Sequence, residues 1–180
     1  HHRMTKVRTT GAMAIIDIAL SAPLRFACRP DLDVAHARIV GTLDDMERAF
    51  DATKYGRLSN EPILEVVIPS VETPEMAPAG HHVASIMAHF APYDINTGWI
   101  DGAPDSFADT VIARLVRFAP DLAGTIIARR VRTPVDLETR YGVTGGHIHH
   151  VEHALDHMIV RPDPECARYA TPIHGLYLCG

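Results

Sequence analysis

The stretch at residues 141–180, YGVTGGHIHHVEHALDHMIVRPDPECARYATPIHGLYLCG, organises the rest of the chain. A turn is predicted at its start, because the adjacent Gly145 and Gly146 can adopt positive φ without steric cost. Residues 150–159 follow with helical spacing and one apolar face, and Pro162 and Pro164 end that predicted helix. The closing apolar run at 175–180 predicts a buried strand that leads into a terminal glycine.

Apolar runs and alternating patterns predict strands in the rest of the chain, at 11–20, 38–41, 63–68, 82–91 and 126–132. Helices are predicted from capping residues and from apolar spacing of three and four, at 42–53, 106–118 and 134–140. Proline and glycine predict surface loops at 71–80 and 93–104. The pattern is typical of an α+β fold in which an antiparallel or mixed sheet carries helices on one face.

Composition limits the classes of function. The 180 residues are 47% hydrophobic, which is enough for one domain with a real core. A formal charge of −5 argues against a nucleic-acid partner. No run of 18 apolar residues predicts a membrane span, and three widely spaced cysteines favour a reducing, cytoplasmic compartment over a disulfide framework.

Several motifs occur in an order that points to a known family. They are PVDLE at 134–138, RYG at 140–142, TGG at 144–146, TPI at 171–173 and GLYLCG at 175–180. Earlier segments match the same order, namely RTTGAMA at 8–14, PILEVVIPS at 62–70, APAGHH at 77–82 and FAPY at 90–93. As a set, they resemble the C-terminal part of phytoene-desaturase-like FAD-dependent oxidoreductases, which include the pyridine nucleotide-disulfide oxidoreductase domain-containing proteins.

The resemblance implies a division of the chain and a cofactor. Residues 1–174 would be the substrate-binding domain of a two-domain flavoprotein, and 175–180 would begin the strand that returns to an absent FAD-binding domain. FAD is the implied cofactor, although the glycine-rich fingerprint that holds its pyrophosphate is missing from this sequence. The full-length protein is then expected to be a dehydrogenase or desaturase, and this chain alone is expected to be inactive.

The resemblance also implies which residues lie near substrate or flavin, without identifying a catalytic group. They are Gly145, Gly146, His147, His150, Cys179 and Gly180. Family members commonly carry Asn or Asp at the position of His147 and an aromatic residue at His149, so these two positions depart from the pattern. The implied partners are an apolar or amphipathic small molecule and the FAD-binding half; peripheral membrane contact and homo-oligomerisation stay open.

Two other interpretations remain beside the flavoprotein. His150, His153 and His157 share one stripe of the predicted helix, and imidazoles at that spacing can converge on a metal ion, but the preferred interpretation is a polar pocket wall and no metal site is predicted. The chain also suits a free-standing α+β binding module that uses its sheet for a hydrophobic ligand or partner. A glycine-rich strand–helix unit elsewhere in the reading frame would separate the flavoprotein from that module.

Overall fold

A computed structural model of the chain describes residues 7–9, 11–150, 152, 155, 160, 163–166 and 168–178. Five strands within these ranges form one sheet in the order β2-β3-β4-β1-β5, and every pairing is antiparallel. The strands are β1 (Met13–Leu20), β2 (His36–Ile39), β3 (Leu64–Val67), β4 (His82–His89) and β5 (Ile126–Arg132). Together with the helices below, this sheet confirms the predicted α+β fold.

The core lies on one face of the sheet, where the alternation of each strand places its apolar side chains. On β1 the even-numbered residues are buried, and Ile16 is paired with the equally buried Ile86 of β4. Phe107, Val111 and Leu115 recur along one side of a long helix and belong to the same buried cluster. Burial of these side chains is the main stabilising contribution, at about 25 cal/mol for each Å² of apolar surface removed from water.

The helices begin and end where the local chemistry requires. They are α1 (Leu43–Lys54), α2 (Pro69–Glu72), α3 (Ala103–Val116), α4 (Leu122–Thr125) and α5 (Pro134–Tyr141), with a 3₁₀ turn at Pro74–Met76. Thr42 caps α1 and Thr133 caps α5, and each threonine makes reciprocal bonds with an aspartate three residues later. No helix within the described ranges is both long and apolar enough to cross a bilayer.

Three details differ from the sequence predictions. The long helix α3 begins three residues early, because Gly102 adopts φ 82° just before it and a proline occupies its first turn. The predicted loop at 71–80 contains the end of α2 and the 3₁₀ turn. On α1, the apolar residues that share one side stay largely outside the core, since Leu43 is 79% and Phe50 45% exposed.

The C-terminal stretch folds differently from its prediction. His150 does not begin a helix: its φ is 66°, and its N–H donates to the His147 carbonyl at 2.8 Å to close a turn. The end of the chain, predicted as a buried strand, makes local contacts instead, with a single bridge between Ala170 and Tyr177 in the described residues. Tyr177 is 70% exposed, so that prediction is wrong for the described residues. The remainder of the predicted helix, apart from its Glu152 and Leu155, lies outside the described residues.

Candidate functional site

The second face of the sheet is the candidate site. Its side chains are those that alternate with the buried ones, and we call this surface the open face. It comprises Ile15, Asp17 and Ala19 of β1, Glu65 and Val67 of β3, Val83, Ser85, Met87 and His89 of β4, and Ala128, Arg130 and Arg132 of β5. Six of these side chains are apolar and the others are polar or charged, so the surface offers apolar contacts together with placed polar groups, as small-molecule sites do.

Two cavities lie at opposite ends of the open face. The histidine cavity, of about 310 Å³, adjoins the start of β1 and the end of β4; its walls include Met13, His89, Phe90, Gly146, His147 and His149. The arginine cavity, of about 470 Å³, adjoins the other end of the same two strands; its walls include Asp17, Ala19, Met76, Val83, Ala128 and Arg130. The two ends are about 20 Å apart, because each strand residue advances about 3.4 Å.

The Gly145-Gly146 turn forms one edge of the histidine cavity. Both glycines adopt φ 65°, which disfavours any side chain. The turn is held by backbone contact, since the N–H of Gly11 donates to the Gly145 carbonyl at 2.7 Å. Glu138 of α5 fixes it further by accepting from the Gly145 N–H at 2.9 Å and from the Tyr93 hydroxyl. The glycines are therefore required for close backbone packing that places Gly146 in the cavity wall.

Two of the five clustered histidines reach the histidine cavity. The rings of His147 and His149 are 6.0 Å apart, and the His149 N–H donates to Nδ1 of His147 at 3.2 Å. That bond leaves Nδ1 of His147 as an acceptor, so a neutral ring carries its proton on Nε2. His150 is exposed and is not part of the cavity wall, whereas His153 and His157 lie outside the described residues.

A third histidine, His89 of β4, also forms part of the wall of this cavity. The sequence patterns did not predict it as a site residue. Its Nε2 lies 3.8 Å from Glu65 Oε2, and the other oxygen of Glu65 contacts His36 at 2.8 Å and Arg38 at 3.3 Å. Burial lowers the pKa of His89, and the Glu65 carboxylate offsets only part of that effect. Burial alone would raise the pKa of Glu65, but the hydrogen bonds from His36 and Arg38 bring it below its usual value.

These pKa directions decide the protonation states in the histidine cavity. At neutral pH, Glu65 is an anion that lies beside a mostly uncharged His89 imidazole. Such a ring can donate or accept one proton at the cavity wall. The signal that could have found this pair was the alternation of β3 and β4, but only the pairing of the two strands brings Glu65 beside His89.

A second polar group lies nearer the arginine cavity. Asp17 accepts from the Ser85 hydroxyl at 2.8 Å with one oxygen and from the Arg132 guanidinium with the other. Arg130 is the direct cross-strand partner of Asp17. Both oxygens of Asp17 are thus occupied by neighbours other than Arg130.

Two side chains near the sheet have structural roles, and two of the predicted site residues lie outside the described ranges. Trp99 donates its indole N–H to the Pro92 carbonyl at 2.9 Å and packs against Phe107 on the core side. Ser70 is buried, and its hydroxyl oxygen accepts from the Val83 N–H at 3.1 Å. Cys179 and Gly180 are among the residues that the structure does not describe.

The described residues contain no group of three or more His, Cys, Asp or Glu side chains arranged to hold a metal ion. They also contain no parallel strand–helix–strand unit, because all pairings in the sheet are antiparallel. A dinucleotide such as FAD is held by a glycine-rich turn at the start of a helix in such a unit. The described part of the chain therefore does not fit the pyrophosphate of FAD.

Comparison with known proteins gives three informative similarities. The chain is 36% identical over 138 residues to pyridine nucleotide-disulfide oxidoreductase domain-containing protein 2 of Rattus norvegicus, which is 75% of this chain and 24% of that protein. It is 29% identical over 160 residues to a limonene dehydrogenase polypeptide of Castellaniella defragrans, covering 84% of this chain and 29% of that protein. It is also 29% identical over 110 residues to a 4,4'-diapolycopene oxygenase from Methylomonas sp, covering 60% of this chain and 22% of that protein.

No protein-family profile matches the chain. The chain spans about a quarter of the length of the curated relatives that it matches. The names of those relatives support a relationship to oxidoreductases of the flavoprotein type at a coarse level. They agree with the resemblance found in the sequence motifs.

Proposed function

We propose that this chain is the substrate-side part of an FAD-dependent oxidoreductase and that its open face binds an apolar or amphipathic molecule. One observation carries the proposal: the sheet buries one face against helices and leaves the other open, with the apolar pair Ile15 and Met87 between two cavities. The similarity to oxidoreductases supports it, and two of those relatives are named for limonene and diapolycopene, which are both apolar molecules.

The proposal assigns the flavin to a part of the protein outside the described residues. A bound flavin would supply the hydride acceptor. The described residues would orient the substrate on the open face and exclude water from it, with Ile15 and Met87 paired at the middle of that face. The turn at Gly145 and Gly146 and the histidine cavity would lie at the end of the face nearest the reacting bond.

In this proposal His89 and His147 set the polarity of that end. Glu65 of β3 lies 3.8 Å from His89, and the Gly145-Gly146 turn leads directly into His147. Proton exchange with the substrate or with a reaction product is the chemistry that these two imidazoles can add. His150 and Cys179 remain predictions, since the first lies outside the cavity wall and the second outside the described residues.

The test is to express the chain within its complete reading frame and to examine the purified protein for flavin absorption. We expect flavin to copurify and to be reduced on anaerobic addition of limonene, hexadecanol or hexadecanoate. The 180-residue chain alone serves as the control and should carry no flavin. A complete protein that purifies without flavin and takes up none would contradict the proposal and favour a free-standing binding module.

A further inference from the structure

The arginine cavity combines an apolar floor with two arginines, Arg129 and Arg130, and one carboxylate, Asp17. Its floor is recessed because the small side chains of Ala19 and Ala128 lie side by side on β1 and β5. Val83 is paired with Ala19 from the other side. Met76 extends over this floor from the 3₁₀ turn and is 55% exposed. Small side chains flanked by larger ones leave a concave apolar surface, which suits an alkyl chain.

The charged groups around this cavity are paired with one another, except for Arg130. Asp17 is satisfied by Ser85 and Arg132, as described above. Arg129, the neighbour of Arg130 in sequence, points to the opposite side of β5 and pairs with Asp105 and Asp109 of α3. Arg130 itself has no ion pair or hydrogen bond through its side chain within the part of the chain that the structure describes. One guanidinium is therefore left to meet an anion at the edge of the cavity.

We propose that the arginine cavity binds a long-chain carboxylate, with its carboxylate on Arg130 and its alkyl chain over Ala19, Val83 and Met76. A guanidinium matches the two oxygens of a carboxylate through parallel hydrogen bonds. A single cation neutralises the single charge of a carboxylate, whereas a phosphate monoester carries nearly two.

This inference deepens the proposed function by naming its substrate class, and that role as substrate rests on the proposed function. Binding itself needs no flavin. The two can therefore fail separately: the 180-residue chain tests the carboxylate site, and the complete protein tests the oxidoreductase.

The experiment measures binding of radiolabelled hexadecanoate and of hexadecanol to the 180-residue chain by equilibrium dialysis, below the concentrations at which either probe aggregates. We expect hexadecanoate to bind more tightly than hexadecanol. In Arg130→Gln the affinity for hexadecanoate should fall about tenfold, as for the loss of one charge-assisted bond, and that for hexadecanol should stay unchanged. Arg29→Gln is the matched control, because Arg29 is an exposed loop arginine outside the cavity.

A second variant tests the apolar wall. Met76→Gln should weaken binding of both probes by a similar factor, and folding should tolerate it because Met76 is largely exposed. Equal affinity of the two probes for the unmodified chain would overturn the inference. Equal losses in Arg130→Gln and Arg29→Gln would also overturn it, as would binding to phosphatidylglycerol vesicles without any binding of monomeric hexadecanoate.

Discussion

A Cβ atom on Gly146 would lie 2.1 Å from the carbonyl oxygen of Pro134, the first residue of α5. The turn at Gly145 and Gly146 thus packs backbone against backbone. A side chain at Gly146 could fit only if the Pro134 backbone, and with it the start of α5, moved. The same turn meets the start of β1, where a Cβ on Gly11 would lie 2.6 Å from the Gly145 carbonyl oxygen. Three segments that are distant in sequence are joined at this point.

The first prediction is that Gly146→Ala destabilises the chain by more than about 3 kcal/mol. The cost combines the left-handed φ with the clash against Pro134. Gly142→Ala is the matched control, because Gly142 has φ 67° and open space around its Cβ position, so it should cost only about 1 kcal/mol. Urea unfolding of both variants measures the difference, and equal losses would show that the close packing is absent.

The second prediction concerns Glu138, which links Tyr93 to Gly145. Its hydrogen bond from Tyr93 and then that from the Gly145 N–H lower the pKa of the carboxyl. A carboxyl whose pKa is depressed by folding stabilises the fold above its unfolded pKa, near 4.5, and loses that contribution as pH falls through the folded value. Glu138→Gln should therefore melt at a lower temperature at neutral pH, and the gap to the unmodified chain should narrow in acid.

Thermal melts of both proteins between about pH 7 and about pH 3 measure this gap. Glu75→Gln is the control, because Glu75 is exposed in the 3₁₀ turn and has the same chemistry. Its melting temperature should follow that of the unmodified chain at every pH. A gap for Glu138→Gln that does not change with pH would mean that the carboxylate charge is not what holds the turn.

The local chemistry of the sequence predicted the elements well. Thr42, followed by acidic residues, predicts the capped start of α1, and in the structure the Thr42 side chain accepts from the Asp45 N–H. An apolar run predicted β1, and a loose alternation predicted β4. Such signals need only the neighbouring residues, because caps and strand faces are set within a few positions.

The candidate site was harder to predict from the sequence, because its contacts join residues that are distant in sequence. Glu65 meets His89 only once β3 and β4 are paired in their register. The family resemblance implies that His150 lies near substrate or flavin, whereas in the structure a positive φ and a local turn keep that residue out of the cavity wall. The spacing of Leu43 and Phe50 shows that α1 is amphipathic, but spacing does not say what covers its apolar side.

The third prediction concerns Glu61, whose carboxylate forms ion pairs with two arginines, Arg114 in α3 and Arg117 just after it. Arg114 is only 7% exposed and pairs with Glu61, and Arg117 donates to the same carboxylate at 2.7 Å. Glu61→Ala would leave a buried guanidinium unpaired beside a second cation, so we expect a loss of about 2 kcal/mol; the partial exposure of Glu61 keeps it below the cost of a fully buried pair.

Asp51→Ala provides the matched control for that loss. Asp51 pairs with Lys54 on the exposed side of α1, at 2.6 Å. An exposed pair of this kind contributes at most about 0.5 kcal/mol. Chemical unfolding of the two variants compares them directly. Equal losses would indicate that water reaches Arg114 and that the pair with Glu61 is an ordinary surface contact.

The last prediction concerns the charge of His89 in the histidine cavity. Burial lowers the pKa of His89, Glu65 opposes that effect, and Arg38 and His149 add to it. Removing the carboxylate in Glu65→Gln should therefore lower the pKa of His89 further. The signs give a stability consequence as well: a histidine whose pKa falls on folding does not affect stability above its unfolded pKa, near 6.5, and destabilises the folded state as pH drops below that value. The measurement is the pH dependence of the imidazole ¹⁵N shifts, with Glu75→Gln as a control of equal charge change away from the histidine cavity.

A His89 that titrates at its ordinary value, or whose pKa rises in Glu65→Gln, would remove the Glu65–His89 pair from the candidate site, since an imidazole in contact with bulk water needs no carboxylate to set its protonation.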